Sequence, residues 1–341
     1  MRGRLACGSL FSGVGGLDYG FKDEKFPIEW AIDSDRAAAL AYSEAIGVEP
    51  FIERVEKVHR FPDCDVILAG PPCQGYSFFG KRDEGDPRNK LYLQVARALR
   101  KVQPACFVFE NVLGMVHLYR GKFFRRAVRA FDRAGYNVVA YRLNALDFGV
   151  AQERKRLIIV GFRKDLYVEY RIPQGRSRRK TIKDALKGMP EPDKRDVCWS
   201  SFNAFYLSRN RRRDWHEPSL AIPAWDRHVP LHPSSPPLKM VRYGKWVLTA
   251  PESEYRRFSY IECIRLQALP RKIEEAIIGL EYSLKRKYRL AGDAVPTPMA
   301  RAIARSISRA KIEEDSRGGL KVLNAKTAEN LLYYSSGSSA E

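Results

Sequence analysis

Through roughly the first 165 residues, short apolar runs alternate with longer amphipathic segments. That alternation is the pattern of βα units stacked around a parallel sheet. The expected fold class is therefore α/β, a doubly wound and mostly parallel sheet. Strands are predicted at residues 5–11, 28–32, 66–69, 107–110, 138–143 and 157–162. Helices are predicted between them at 36–46, 91–102 and 122–134, where apolar residues recur at helical spacing.

From about residue 168 the character changes. Prolines, a basic stretch over 175–183 and the run Arg209-Asn210-Arg211-Arg212-Arg213 replace regular periodicity. Helical spacing returns at 259–267 and 298–312. The expected organisation is a first domain over 1–167, a smaller irregular domain over 168–255, a return to the first domain over 256–312, and a weakly ordered, dispensable tail over 313–341.

Sixty Lys and Arg against forty Asp and Glu leave a formal charge of +20, which points to a polyanionic partner, nucleic acid foremost. The six cysteines are scattered, without C-x-x-C or a Cys/His cluster at ligand spacing, so no metal site and a reduced compartment are expected. No apolar stretch approaches a signal peptide or a membrane span, so a soluble, unprocessed cytoplasmic protein is expected.

Three short segments carry chemistry. After the first strand comes Phe11-Ser12-Gly13-Val14-Gly15-Gly16-Leu17, a glycine turn that lets a ligand approach the backbone at a helix N-terminus. An ordinary tight βα turn would read the same way. Asp33, about twenty residues on, suits either a ribose hydroxyl or a helix cap, with Asp35 better placed for the cap. Strand 66–69 runs into Gly70-Pro71-Pro72-Cys73-Gln74, which puts a lone thiol behind two stiff prolines at the ligand-binding edge of the sheet. Strand 107–110 brings Glu110-Asn111-Val112 to that edge, as an acid beside the thiol or as a plain helix-start carboxylate. Gln152-Glu153-Arg154-Lys155-Arg156 precedes the last strand, and its guanidiniums suit a phosphate, a base carbonyl or solvent.

In this order the segments resemble the motif series of the DNA cytosine-C5 methyltransferases, over roughly residues 10–307. Residues 143–150, the run 260–270 and Gly292-Asp293-Ala294-Val295-Pro296 extend the resemblance. It implies a Rossmann-like methyltransferase domain using S-adenosyl-L-methionine, with product S-adenosyl-L-homocysteine, and a target-recognition domain over 168–255. It implies Cys73 as nucleophile toward cytosine C6, Glu110 at N3, and Arg156 and Arg154 in the catalytic group. The base would be flipped out of the duplex. Cofactor contacts implied by position are Phe11, Gly13, Val14, Gly15, Gly16, Asp33, Ser34, Glu53, Arg54, Pro72, Leu91, Asp293 and Val295. The chain departs from the family pattern at Ser9, where an acid is usual, and at Asp293, where Asn is usual.

Ser208-Arg209-Asn210-Arg211, Trp215 and the segments near 231–240 resemble the prokaryotic branch that methylates GGCC. DNA contacts are expected from Gln74, Ser77, Arg82, Arg209, Arg211, Arg212 and Trp215, arginine being suited to guanine in the major groove. The implied partners are double-stranded DNA and a cognate restriction endonuclease, with the enzyme a monomer. The alternatives are an RNA (tRNA) cytosine methyltransferase, whose Cys-Phe-Thr segment is absent here, and a catalytically silent DNA-binding relative.

Overall fold

The computed structural model describes residues 5–72, 83–175, 178–314, 318–327 and 331–334. In chain order its first half runs β1 (Cys7–Leu10), α1 (Gly16–Asp23), β2 (Ile28–Asp33), α2 (Arg36–Ile46), β3 (Phe51–Ile52), β4 (Val66–Ala69), α3 (Tyr92–Val102) and β5 (Cys106–Val112). It continues with α4 (Gly114–His117), α5 (Lys122–Arg133), β6 (Tyr136–Asn144), β7 (Gln152–Glu153) and β8 (Lys155–Arg163). The strand at 66–69 and the helix at 36–46 fall where the sequence pattern places them. The first strand is shorter than expected, because Phe11 leaves extended geometry for a left-handed backbone with φ 57°.

One sheet of eight strands has the order β15-β6-β8-β5-β4-β1-β2-β3, where β15 is Leu331–Tyr334. The neighbours β3, β2, β1, β4 and β5 are parallel. β8 runs antiparallel to β5, β6 antiparallel to β8, and β15 antiparallel to β6. The sheet is thus mostly parallel with a mixed edge. The chain passes outward from β1 through β2 to β3, then restarts on the other side of β1 with β4. That reversal opens a crevice beyond the C-terminal ends of β1 and β4, where open α/β sheets bind ligands.

Both faces of the sheet are buried, which is why its strands read as uninterrupted apolar runs. Phe21 from α1 and Met299, Ile303 and Ile307 from a late helix cover one face against Val108, Val139 and Val160. Val95 and Leu99 from α3 and Phe131 from α5 cover the other against Ile67, Phe107 and Ile159.

The second half runs β9 (Leu166–Tyr170), α6 (Ile182–Leu186), β10 (Ser219–Leu220), β11 (Leu238–Arg242), β12 (Lys245–Leu248), α7 (Tyr260–Leu266), α8 (Arg271–Gly279), α9 (Leu284–Asp293), α10 (Thr297–Ser308), β13 (Lys311–Glu314) and β14 (Gly319–Val322). Over 168–255 the chain shares its apolar contacts with its neighbours. Ile182, Leu186, Ile222 and Val229 pack with Val14 and Ala41 and with Ile264 and Ile277 of the returning helices. A small cluster of its own holds Tyr206, Leu231, Leu238 and Tyr255. β10 pairs in parallel with β7, which joins this region to the segment around Gln152.

Two expectations are corrected. The helix expected over 298–312 ends at Ser308, and Lys311–Glu314 is a strand against β9. The tail expected to be weakly ordered contributes β14 beside β9 and β15 beside β6, with Leu320 and Val322 buried. Alternating apolar residues on short strands give a weak signal, and these gain their stability from pairing with strands far earlier in the chain. No helix among the described residues is long and apolar enough to cross a membrane.

Candidate active site

The site is built on three strand ends. β1 delivers Phe11 and the glycine turn, β4 delivers Gly70-Pro71-Pro72, and β5 delivers Glu110 and Asn111. Gly70 donates its N–H to the Leu10 carbonyl, holding the first two together. A Cβ at Gly70 would lie 3.9 Å from Glu110 Oε2 and 3.8 Å from the Phe11 carbonyl, so the three segments converge on that glycine.

The glycine turn is fixed by a carboxylate. Asp33 Oδ2 accepts from the Gly13 N–H at 2.8 Å and Asp33 Oδ1 from the Asp35 N–H at 2.8 Å. Asp35 in turn caps α2, accepting from Ala37 and Ala38. Gly13 and Gly15 have φ of 56° and 83°, a region that L side chains enter at a cost. Gly16 leaves no room for a side chain, since a Cβ would come 2.3 Å from the Val295 carbonyl. Val295 therefore packs directly under the turn, while the Val14 side chain faces the core instead. Phe11 is the strained member, a left-handed non-glycine residue of the kind found where a ligand must be met.

Beneath the turn lies an acid that sequence reasoning passed over. Asp18, on the first turn of α1, is fully buried and accepts a hydrogen bond from Ser9 Oγ at 3.0 Å. Burial pushes its pKa up to about 7, opposed by the Ser9 and Tyr42 hydroxyls. Ser9, one of the two departures from the family pattern, thus serves as the donor to this carboxyl. An acidic residue beginning a helix looks like an ordinary surface residue in sequence, so nothing there marks Asp18 as buried.

Glu110 is buried at the end of β5, and its Oε1 lies 2.9 Å from Arg156 Nε. Burial raises the Glu110 pKa, while Arg156 and Arg154 pull the other way. The pairing follows from register, because β5 and β8 are antiparallel neighbours with Val112 opposite Arg156. Asn111 Nδ2 donates to the Pro71 carbonyl at 3.3 Å, so the strand carrying the acid also holds the Pro71-Pro72 backbone. Asn111 went unassigned in the sequence, where an amide after a strand has no distinctive signature.

Arg154, expected in the catalytic group, also braces the backbone. Its guanidinium is buried and donates to the carbonyls of Ile222 at 2.9 Å, Gly292 at 2.8 Å and Ala294 at 3.1 Å. Gln152 works alongside it, accepting from the Ile222 N–H at 3.0 Å. These residues tie three distant segments together. Of the expected DNA contacts, Arg211 is likewise buried, donating to the Tyr206 and His228 carbonyls and lying over the Tyr206 ring. Arg212 is held by the Ser235 and Pro233 carbonyls and by Asp214. Arg209 and Trp215 are exposed, Trp215 packing edge-on against His232.

Among the expected cofactor contacts, Ser34, Glu53 and Arg54 are exposed near the end of β2. Glu53 donates its N–H to the Asp33 carbonyl, and Arg54 pairs with Glu56. Pro72 is exposed and Leu91 buried at the start of α3. Asp293 pairs with Arg289, and its charge is felt at both Asp33 and Glu110. Cys73, Gln74, Ser77 and Arg82 lie outside the described residues.

The model of the C-5 cytosine-specific DNA methylase family matches residues 5–309. The chain belongs to that family. It is 34% identical over 331 residues to Type II methyltransferase M.FnuDI of Fusobacterium nucleatum, a match covering 90% of this chain and 95% of that one. It is 33% identical over 328 residues to M.NgoPII of Neisseria gonorrhoeae, covering 88% and 94%. Solved structures share the fold: a prophage-encoded DNA modification methyltransferase of E. coli has a TM-score of 0.65 at 20% identity over 89% of this chain and 98% of that one. The methyltransferase EhMeth of Entamoeba histolytica has a TM-score of 0.66 at 16% identity over 90% and 98%. The chain is a DNA cytosine-5 methyltransferase of the restriction-modification type.

Two outcomes follow for this methyltransferase. Arg154→Met should lower unfolding stability by about 3–5 kcal/mol in denaturant titration, because three buried carbonyls lose a charged donor; a loss below about 1 kcal/mol would show that the guanidinium holds nothing together. Asp18 stays protonated in the folded chain while the unfolded chain ionises, so wild-type stability should fall as pH rises from about 4 to about 7. Asp18→Asn should flatten that fall, and parallel pH profiles for the two proteins would contradict the assignment.

Proposed function

We propose that the enzyme methylates carbon 5 of a cytosine in a specific duplex DNA sequence, using S-adenosyl-L-methionine, on a base flipped out of the helix and held covalently through Cys73. The observation that carries this reading is the buried Glu110–Arg156 pair, set beside Gly70 and Phe11 at the mouth of the β1/β4 crevice. A base inside a duplex cannot reach such a site without leaving the stack.

The residues present fit the cofactor. Nothing lies within 4 Å of where a Gly13 Cβ would project, so the turn leaves room for a ligand against its backbone. Asp33 engages each carboxylate oxygen once and retains lone pairs for ribose hydroxyls. Phe11, the Gly13–Gly16 backbone, Asp33, Ser34, Glu53 and Val295 would hold it, with Pro72, Leu91 and Asp293 at the margins. When bound, the cofactor supplies an electrophilic methyl group.

The chain's own residues then prepare the base. A Cys73 thiolate adds to C6, and Glu110, whose pKa is raised by burial, gives a proton to N3. Arg156 stabilises the carboxylate left behind and offers its remaining N–H groups to the cytosine carbonyl. With C6 saturated, C5 becomes nucleophilic, and loss of the C5 proton later expels the thiolate. Burial holds the thiols of Cys7, Cys64, Cys106 and Cys263 up, that of Cys64 to about 12, so they stay protonated at neutral pH.

Residues 168–255 are read as the target-recognition domain, and GGCC as the site, from the resemblance of the Ser208–Arg211 stretch and its surroundings. The enzyme is read as a cytoplasmic monomer paired with a restriction endonuclease of the same specificity.

The test is a GGCC duplex carrying 5-fluorocytosine with methyl-labelled S-adenosylmethionine. A labelled, SDS-resistant adduct is expected with the wild type and none with Cys73→Ala, while Glu110→Gln should slow turnover of ordinary GGCC DNA by about 10²-fold or more. Absence of methyl transfer to every duplex tried would overturn the proposal.

A further inference from the structure

The β11–β12 hairpin is a two-stranded ribbon rooted in the small cluster of Tyr206, Leu231, Leu238 and Tyr255. At its root Leu238 faces Leu248, and Thr249 Oγ1 donates to the Pro237 carbonyl at 2.7 Å. Beyond that root Lys239, Met240, Val241, Arg242, Tyr243 and Lys245 are all exposed, Tyr243 at the tip by 99%.

Three features of this ribbon cost free energy in the isolated chain. Arg242 lies directly opposite Lys245, a like-charge cross-strand pair that destabilises a hairpin. Lys239 adds a third cation, and none of the three side chains has an ion pair or hydrogen bond among the described residues. No carboxylate occurs between Asp226 and Glu252, so the sequence itself provides no local counter-charge. Apolar Met240 and Val241 are more than half exposed between the cations.

A partner that relieves all of these together must be anionic and must offer surface for aromatic and apolar groups. A second copy of a chain carrying +20 does not meet that description. Duplex DNA does, and its major groove is wide enough to admit a two-stranded ribbon. We propose that the β11–β12 ribbon is a duplex-DNA contact, with Lys239, Arg242 and Lys245 against phosphates and Tyr243 against the groove. This inference rests on DNA being the substrate and goes beyond it in placing affinity in a hairpin separate from the arginine-rich run. Phosphate contacts orient and strengthen binding but carry no sequence information, so the ribbon raises affinity for any duplex and leaves site choice to other residues.

The experiment compares wild type with the Lys239→Gln, Arg242→Gln, Lys245→Gln triple variant on two fluorescent duplexes, one containing GGCC and one scrambled, between 50 and 200 mM salt. Leu238 and Leu248 are left in place, and equal melting temperatures verify the fold. Loss of three phosphate contacts should reduce the slope of log K against log salt by about 2–3 and weaken binding at low salt by roughly 10²-fold, equally for both duplexes. Tyr243→Ala should weaken both duplexes equally while leaving the salt slope unchanged. Wild-type binding with an unchanged slope in the triple variant would overturn this inference alone. A loss confined to the GGCC duplex would also overturn it, by making the ribbon a base reader. A wild type that binds neither duplex would overturn the DNA reading and this inference with it.

Discussion

The site depends on a buried guanidinium that braces the backbone around it. Arg154 bridges the Ile222, Gly292 and Ala294 carbonyls, and so joins the segment before β8 to the loop after β10 and to the end of α9. Arginine suits this role because its planar fork carries five donors at fixed angles, and backbone carbonyls at segment ends need donors. Two residues further on, Arg156 meets Glu110. The geometry of the acid thus follows from a joint that also fixes Gly292 and Val295 near the glycine turn. Arg257 repeats the device just before α7, donating to the Cys198, Ser200 and Arg227 carbonyls over the Phe202 ring.

This use of arginine explains where sequence reading succeeded and where it did not. The parallel strands were legible because burial on both faces leaves uninterrupted apolar runs, and the crevice followed from the turns that end β1 and β4. Glu110 and the glycine turn were legible as residue types at strand ends, while Cys73 lies outside the described residues. Arg154 and Arg211 were not, because a guanidinium satisfied by backbone carbonyls has partners that leave no trace in residue identity. In sequence such an arginine is indistinguishable from one facing DNA. The C-terminal strands escaped for a related reason, since β14 and β15 pair with β9 and β6, well over a hundred residues earlier.

Charge is thereby divided between two uses. Part of the basic excess is internal bracing, with Arg154, Arg211 and Arg257 buried. The remainder, including Arg209 and the hairpin cations, faces outward. The acids are divided in the same way. Asp33 orders the glycine turn, Asp18 lies beneath it, and burial raises the pKa of Glu110 beside Arg156. A buried carboxyl beside a guanidinium can both give a proton and accommodate the charge that results, which is what addition to a cytosine ring requires.

On the proposed reading these groups form one centre acting on cytosine C5 in DNA. The most direct measurement is nucleoside analysis of duplex DNA after incubation with the enzyme and methyl-labelled S-adenosylmethionine. All transferred label should be recovered as 5-methylcytosine. Label recovered as N4-methylcytosine or N6-methyladenine, or transferred to RNA and not to DNA, would contradict it.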